Sequence, residues 1–233
     1  MRRAIVLAIA MILFISPTFA SDTAPPTIPA KASSAAQFVP DGWSLEHEKQ
    51  GDLNKDGLPD LLLVLRQTYK SNASEPDTFD PLNRMLLVAF RENEGNDYRL
   101  ALLNTTLIPP RESTDLDDIL NEPGEVTIAN GTFKVSLYLF MSAGGWDTGT
   151  SRFHFRYQNN AFALIGYDRD NTHRSSGKTT ETSVNYLTRK AKITTGNIAH
   201  DARKITWRKL PKARLLHIDD IEDGLSFDPE INP

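Results

Sequence analysis

The sequence predicts an all-β fold: an antiparallel meander that forms an open twisted sheet, a sandwich, or an incomplete barrel of propeller-like arrangement. Three observations carry this expectation. Short apolar runs bounded by turn residues stand at positions 60–66 (DLLLVLR) and 83–90 (NRMLLVAF), too short for helices and apolar enough for strands buried on both faces. Asn130-Gly131, a pair that tolerates the positive φ angles of a type I′ turn, separates Val126-Thr127-Ile128 from Phe133-Lys134-Val135-Ser136-Leu137. Phe153, Phe155 and Tyr157 alternate with Arg152, His154 and Arg156, the period of a half-buried strand.

The remaining elements follow in order. Positions 98–107 read as the strand after the second apolar run. Phe133, Val135, Leu137, Leu139 and Met141 fall on one face at period two. Asn159-Asn160 turns the chain into Phe162-Ala163-Leu164-Ile165, and positions 184–187 and 191–194 make a further hairpin around Arg189-Lys190. Only positions 213–222 suggest a helix, a short one. The expected total is about ten strands. A closed propeller needs at least four blades of about four strands, so a full propeller is excluded.

Composition sets further limits. The chain has 233 residues, 39% hydrophobic, 24% charged and 9% aromatic, the make-up of an ordinary globular protein. Cysteine is absent, which removes disulfides, thiol nucleophiles and thiolate metal sites. Arg2 and Arg3, the apolar run at 4–15 and Pro17-Thr18-Phe19-Ala20 read as an export signal at 1–20, with cleavage expected before Ser21. The apolar core is shorter than the roughly 20 residues of a spanning helix, and no membrane span is expected after cleavage. Cleavage removes two arginines and no acid, so a formal charge of -4 becomes -6. So acidic a chain lacks the basic footprint of a nucleic-acid binder. Residues 21–36 (SDTAPPTIPAKASSAA) hold almost no bulky apolar side chain and are expected to be a disordered tether, leaving 37–233 as a single β-rich domain.

One motif carries chemistry. Asp52-Leu53-Asn54-Lys55-Asp56-Gly57-Leu58-Pro59-Asp60 fits D-x-[DN]-x-D-G-x-x-D, with oxygens at alternating positions and a Gly for the sharp bend. Such a set suits Ca²⁺, bound by six to eight oxygens at about 2.3–2.6 Å. Asp52, Asn54, Asp56 and Asp60 are the expected side-chain ligands, with the Leu58 carbonyl as a fifth and water completing the shell. An EF-hand would need Glu at position 12, which is Leu63 here, so the loop joins strands rather than helices. Sodium or magnesium suits the pattern less well. The alternative is an Asp/Asn/Gly/Pro turn that needs no ion.

From Gly51 to Leu65 the chain resembles the calcium loop of FG-GAP or VCBS-type repeats of integrin-like propellers and secreted bacterial proteins. More loosely, the order of this loop, the Asn130-Gly131 hairpin, Phe155-Arg156-Tyr157-Gln158-Asn159 and Thr182-Ser183-Val184-Asn185-Tyr186-Leu187 is similar to uncharacterised exported bacterial proteins carrying one such loop. The resemblance implies a β-rich fold and a bound calcium ion, and no activity. The loop occurs once here, so a propeller's ligand-binding face is not implied.

Other constellations are weaker. Ser176-Gly177-Lys178-Thr179 lacks the glycine that a phosphate-binding loop would place at Thr172. The five histidines form no i, i+4 pair, and no G-x-S-x-G is present. Asp168, Asp170 and His173, with Asp147, are either a solvated hairpin end or an acid/base or sugar-binding rim. Trp146, among Gly144, Gly145 and Gly149, is either an exposed anchor for a partner or glycan or packs on the sheet. Asp115, Asp117 and Asp118, like Asp219, Asp220 and Asp223, read as solvated acidic surface, with a second weak cation site at either group as the alternative. The expectation is a periplasmic or secreted, calcium-stabilised, non-enzymatic binding module with a protein or glycan partner in the bacterial envelope. The competing classes are a hydrolase of envelope glycans or peptides and an inhibitor or immunity-type protein.

Overall fold

A computed structural model describes residues 26–69, 79–92, 97–121 and 125–231. The export signal at 1–20, its cleavage point and residues 21–25 of the expected tether lie outside these. The strands in chain order are β1 (Lys31–Ala32), β2 (Trp43–Gly51), β3 (Asp60–Gln67), β4 (Arg84–Arg91), β5 (Tyr98–Asn104), β6 (Glu125–Ala129), β7 (Thr132–Leu139), β8 (Asp147–Gln158), β9 (Ala161–His173), β10 (Lys178–Asn185), β11 (Lys190–Asn197) and β12 (His200–Lys209). They form two wholly antiparallel sheets, of order β1-β5-β4-β3-β2 and β12-β11-β10-β9-β8-β7-β6, one of them curled into a half-barrel. The protein is therefore all-β, and from β6 to β12 the second sheet is an unbroken meander.

The expected hairpins form for the expected reasons. Asn130 and Gly131 take φ of 52° and 70°, and Asn159 and Asn160 take 52° and 61°, so both turns match the twist of the strands they join. Among the described residues there is no α-helix. At 213–222 the chain makes only a 3-10 turn at Ile218–Asp220, because Ile218 and Ile221 are drawn into the core while the stretch between bends.

Two apolar layers hold the sheets. Between them, Leu62 and Val64 of β3 and Leu86, Val88 and Phe90 of β4 pack in one cluster with Phe133, Val135 and Leu137 of β7, Phe153 and Phe155 of β8 and Tyr167 of β9. The rings make tilted and edge-on contacts with centroids near 5 Å, as for Phe90 with Tyr157 and Phe153 with Tyr167. At one margin the sheets meet so closely that a Cβ on Gly51 of β2 would lie 2.6 Å from Ile128 of β6.

The opposite face of β3 and β4 is also apolar, as their unbroken Leu/Val/Met runs require. Leu61, Leu63, Leu65, Met85, Leu87 and Ala89 are buried there under Ala35 and Phe38, with Ile28, Ala32 and Val39 packed alongside. Lys31 and Ala32 pair with Arg99 and Tyr98, and the Leu100 amide donates to the Ala30 carbonyl at 2.9 Å. This corrects the expected boundary at residue 37, since from Ile28 the chain is seated on the sheet. Its few small apolar residues suffice because they face a surface that nothing else described covers.

A buried ion cluster closes one end of the sandwich. Arg84 projects between the sheets and donates to both carboxylate oxygens of Glu46 (2.6 and 2.8 Å) and to Asp118 (2.7 Å). Glu46 is the extra residue of a bulge in the β2–β3 pairing, which aims it at Arg84. Burial alone would weaken the charge on Arg84, but the two carboxylates outweigh it and hold the guanidinium above its ordinary pKa. Burial likewise works to raise the Asp118 carboxyl, and the hydrogen bond from Arg84 leads the effects that hold it below its ordinary value. Asp118 is thus not solvated surface.

Candidate functional site

The loop at residues 52–60 is the tip of the β2–β3 hairpin, where Gly51 pairs with Asp60. Lys55 takes φ 68° and Gly57 φ 90°; a Cβ on Gly57 would meet nothing within 4 Å, so the glycine is required for backbone conformation rather than room. Leu53 turns inward and anchors the loop in the inter-sheet core.

The four expected side-chain ligands are all in this loop, and each already accepts at least one backbone N–H. Asp52 accepts from Lys55 (2.6 Å) and Gly57 (3.0 Å), and Asn54 Oδ1 accepts from Asp56 (2.9 Å). Asp56 accepts from the Leu58 amide and from the Asn54 side chain, both at 2.8 Å. Asp60 differs from the others. It is 0% exposed, and its oxygens accept from Leu53 (2.8 Å), Asn54 (3.3 Å) and, across the sheet, Arg91 (3.0 Å). Burial raises its carboxyl above the ordinary pKa despite those three amides. Asp60 is therefore a clamp tying the loop to the end of β4.

The donor set of carboxylate, amide and carbonyl oxygens suits a hard cation, and each carboxylate keeps a lone pair beyond its backbone bonds. Among the described residues, however, no three Asp, Glu or His side chains are gathered as a metal-binding group. The loop closes on its own backbone.

The outer face of the second sheet carries the other candidate residues. Asp168 and Asp170 lie within β9, not in a hairpin end, because β8 pairs with β9 as far as Asp147 and His173. Asp168 meets His154 Nε2 at 3.0 Å and bonds to Ser183; burial works to raise its carboxyl, yet these two partners help hold it below the ordinary value. Arg152 pairs with Asp170, and Arg203 of β12 with Glu181 of β10 at 3.0 Å. Arg152, Asp168, Asp170, Glu181 and Ser183 line an open recess of about 390 Å³ with Lys192 and Thr194. The Asp168 carboxylate thus partners both the His154 imidazole and the Ser183 side chain. His173 Nδ1 meets Ser176 Oγ at 3.0 Å within the β9–β10 turn and caps that turn.

Trp146 is 61% exposed, which decides its alternatives in favour of a presented side chain. Its turn is held by Arg174, whose Nη2 donates to the Met141 and Gly145 carbonyls and whose guanidinium stacks 4.6 Å over Phe140.

Sequence reasoning missed β12. Its strand is exposed almost throughout, with Ile205 55% and Trp207 64% exposed, and neither face is buried to impose an apolar alternation. The available signal was Ile205-Thr206-Trp207, three β-favouring residues in a row. Beside Trp207, an open recess of about 440 Å³ is lined by Thr188, Lys190, Arg208 and Lys209.

No protein-family model, no curated protein and no solved structure matches this chain.

Proposed function

We propose that the chain is an exported, non-enzymatic binding module of the bacterial envelope, stabilised by Ca²⁺ at residues 52–60, and that it binds through the β10–β12 end of its second sheet. One observation carries the binding reading. β12 orders ten residues, at about 1–2 kcal/mol of backbone entropy each, yet buries almost nothing and leaves Ile205 and Trp207 open. Exposed aromatic and apolar side chains on an otherwise charged surface are what a binding surface contains. The ion reading is supported by the alternating oxygens of Asp52, Asn54, Asp56, the Leu58 carbonyl and Asp60, by the spare lone pairs in the loop, and by the resemblance to FG-GAP and VCBS-type loops.

Immobilised chain should retain a component of envelope extract, and Trp207→Ser with Ile205→Ser should release it without changing the melting temperature. Equal retention by the double variant would sink the reading. The competing hydrolase reading draws on the recess holding Asp168 and Asp170. Turnover of peptidoglycan or a polysaccharide, lost in Asp168→Asn, would establish it instead.

A further inference from the structure

We infer that the outer edge of β12 takes an acidic, extended peptide segment of a partner protein by strand addition. This rests on the binding-module reading and names the class of partner. The Leu210 amide donates to the Arg189 carbonyl at 3.0 Å, and β11 and β12 then pair in register from Lys190↔Lys209 to Thr195↔Lys204 without a bulge. Backbone groups alternate in an antiparallel ladder, so Arg208, Thr206 and Lys204 bond toward β11 while Lys209, Trp207 and Ile205 aim their N–H and C=O groups away from the sheet. β12 ends the strand order, and among the described residues no strand lies beyond it. Such an edge is a template for one more strand.

Charge defines the occupant. β12 holds Arg203, Lys204, Arg208 and Lys209 against the single acid Asp201, and Arg189, Lys190 and Lys192 flank it, in a chain whose net charge is -4. A second copy pairing through β12 would set basic residues against basic residues, which is unfavourable in directly opposed positions. An acidic segment is complementary. Basic residues on an edge also serve to repel strangers. Repulsion alone, however, gives no use for an exposed Ile205 and Trp207 in the same strand. With the recess of about 440 Å³ beside Trp207 they fit an apolar side chain of the incoming segment, whose neighbouring acids would meet Lys190, Arg208 and Lys209.

The test is fluorescence anisotropy of the purified chain with a labelled decapeptide alternating Glu with Val and Phe. Binding is expected at low salt and should weaken as salt rises. A peptide with Lys for Glu, and one N-methylated on alternate amides, should not bind. Trp207→Ala with Lys209→Glu should weaken binding more than about tenfold, at unchanged melting temperature. No binding by the acidic peptide, equal binding by the N-methylated one, or a dimer that the same double variant dissolves would each overturn the inference. Should envelope components still be retained by wild type and lost from Trp207→Ser with Ile205→Ser while the acidic peptide fails, strand addition falls and the module reading stands. Failure of both assays removes both.

Discussion

Replacing Phe38 with Ala tests whether the segment before β2 belongs to the fold. Phe38 is 0% exposed and sits with Ala35 over Leu61, Leu63, Leu65, Met85 and Leu87, themselves at most 2% exposed. Truncating a buried Phe to Ala costs about 3–5 kcal/mol through lost transfer energy and the cavity left behind. The strands beneath are paired on both sides and cannot collapse into that cavity, which places the cost toward the upper part of the range. A domain of this size loses about 2–4 °C per kcal/mol, so the melting temperature should fall by roughly 6–20 °C. Thermal unfolding followed by circular dichroism gives the shift, and urea unfolding should show a lower midpoint at constant slope. Phe38→Leu, which keeps most of the volume, should cost less than about 1.5 kcal/mol. A fall of less than about 2 °C in Phe38→Ala would mean that the segment is not seated in solution.

Other perturbations separate the remaining claims. Deleting residues 21–36 removes Ile28, Ala32 and Ala35 from the same face and should lower the melting temperature by several degrees in calorimetry; an unchanged transition would restore the tether to residue 36. Arg84→Ala leaves Glu46 and Asp118 buried without their cation and should cost about 3–5 kcal/mol in urea unfolding, whereas Arg84→Met with Glu46→Gln and Asp118→Asn should recover much of it. Since the folded Asp118 carboxyl lies below its ordinary 3.8, its contribution is present above about pH 4 and lost as pH falls through the folded value; wild type should lose stability there more steeply than Asp118→Asn. Millimolar Ca²⁺ added to chelator-treated chain should stabilise it by about 1.4 kcal/mol if the constant is about 10⁻⁴ M, with less from Mg²⁺ and none in Asp56→Ala; an unmoved wild-type transition would leave the loop an ordinary turn. Without added ion, Asp60→Ala should destabilise far more than Asp56→Ala, because it removes the acceptor of the buried Leu53 amide, at about 1–3 kcal/mol, and of the half-buried Asn54 and Arg91 amides as well.

What the sequence determined by itself is local. The Leu/Val runs of β3 and β4, the period-two aromatics of β7 and β8, and the turns at Asn130-Gly131 and Asn159-Asn160 were legible because strand pairing and burial impose an alternation or a run that a few residues reveal. The loop at 52–60 was legible because its Asx and Gly positions are set by the bend of the chain itself. Tertiary structure alone decided the rest. β1 and the segment from Ile28 to Phe38 carry too little apolar area to announce themselves, and they fold because β3 and β4, further along the chain, present a second bare face. Asp60 and Asp118 differ from Asp56 and Asp115 through the amides of distant strands and a buried arginine, not through their own neighbours in sequence. β12 stayed hidden because strand identity there comes from pairing with β11 and not from burial, so no alternation of apolar and polar residues was required of it.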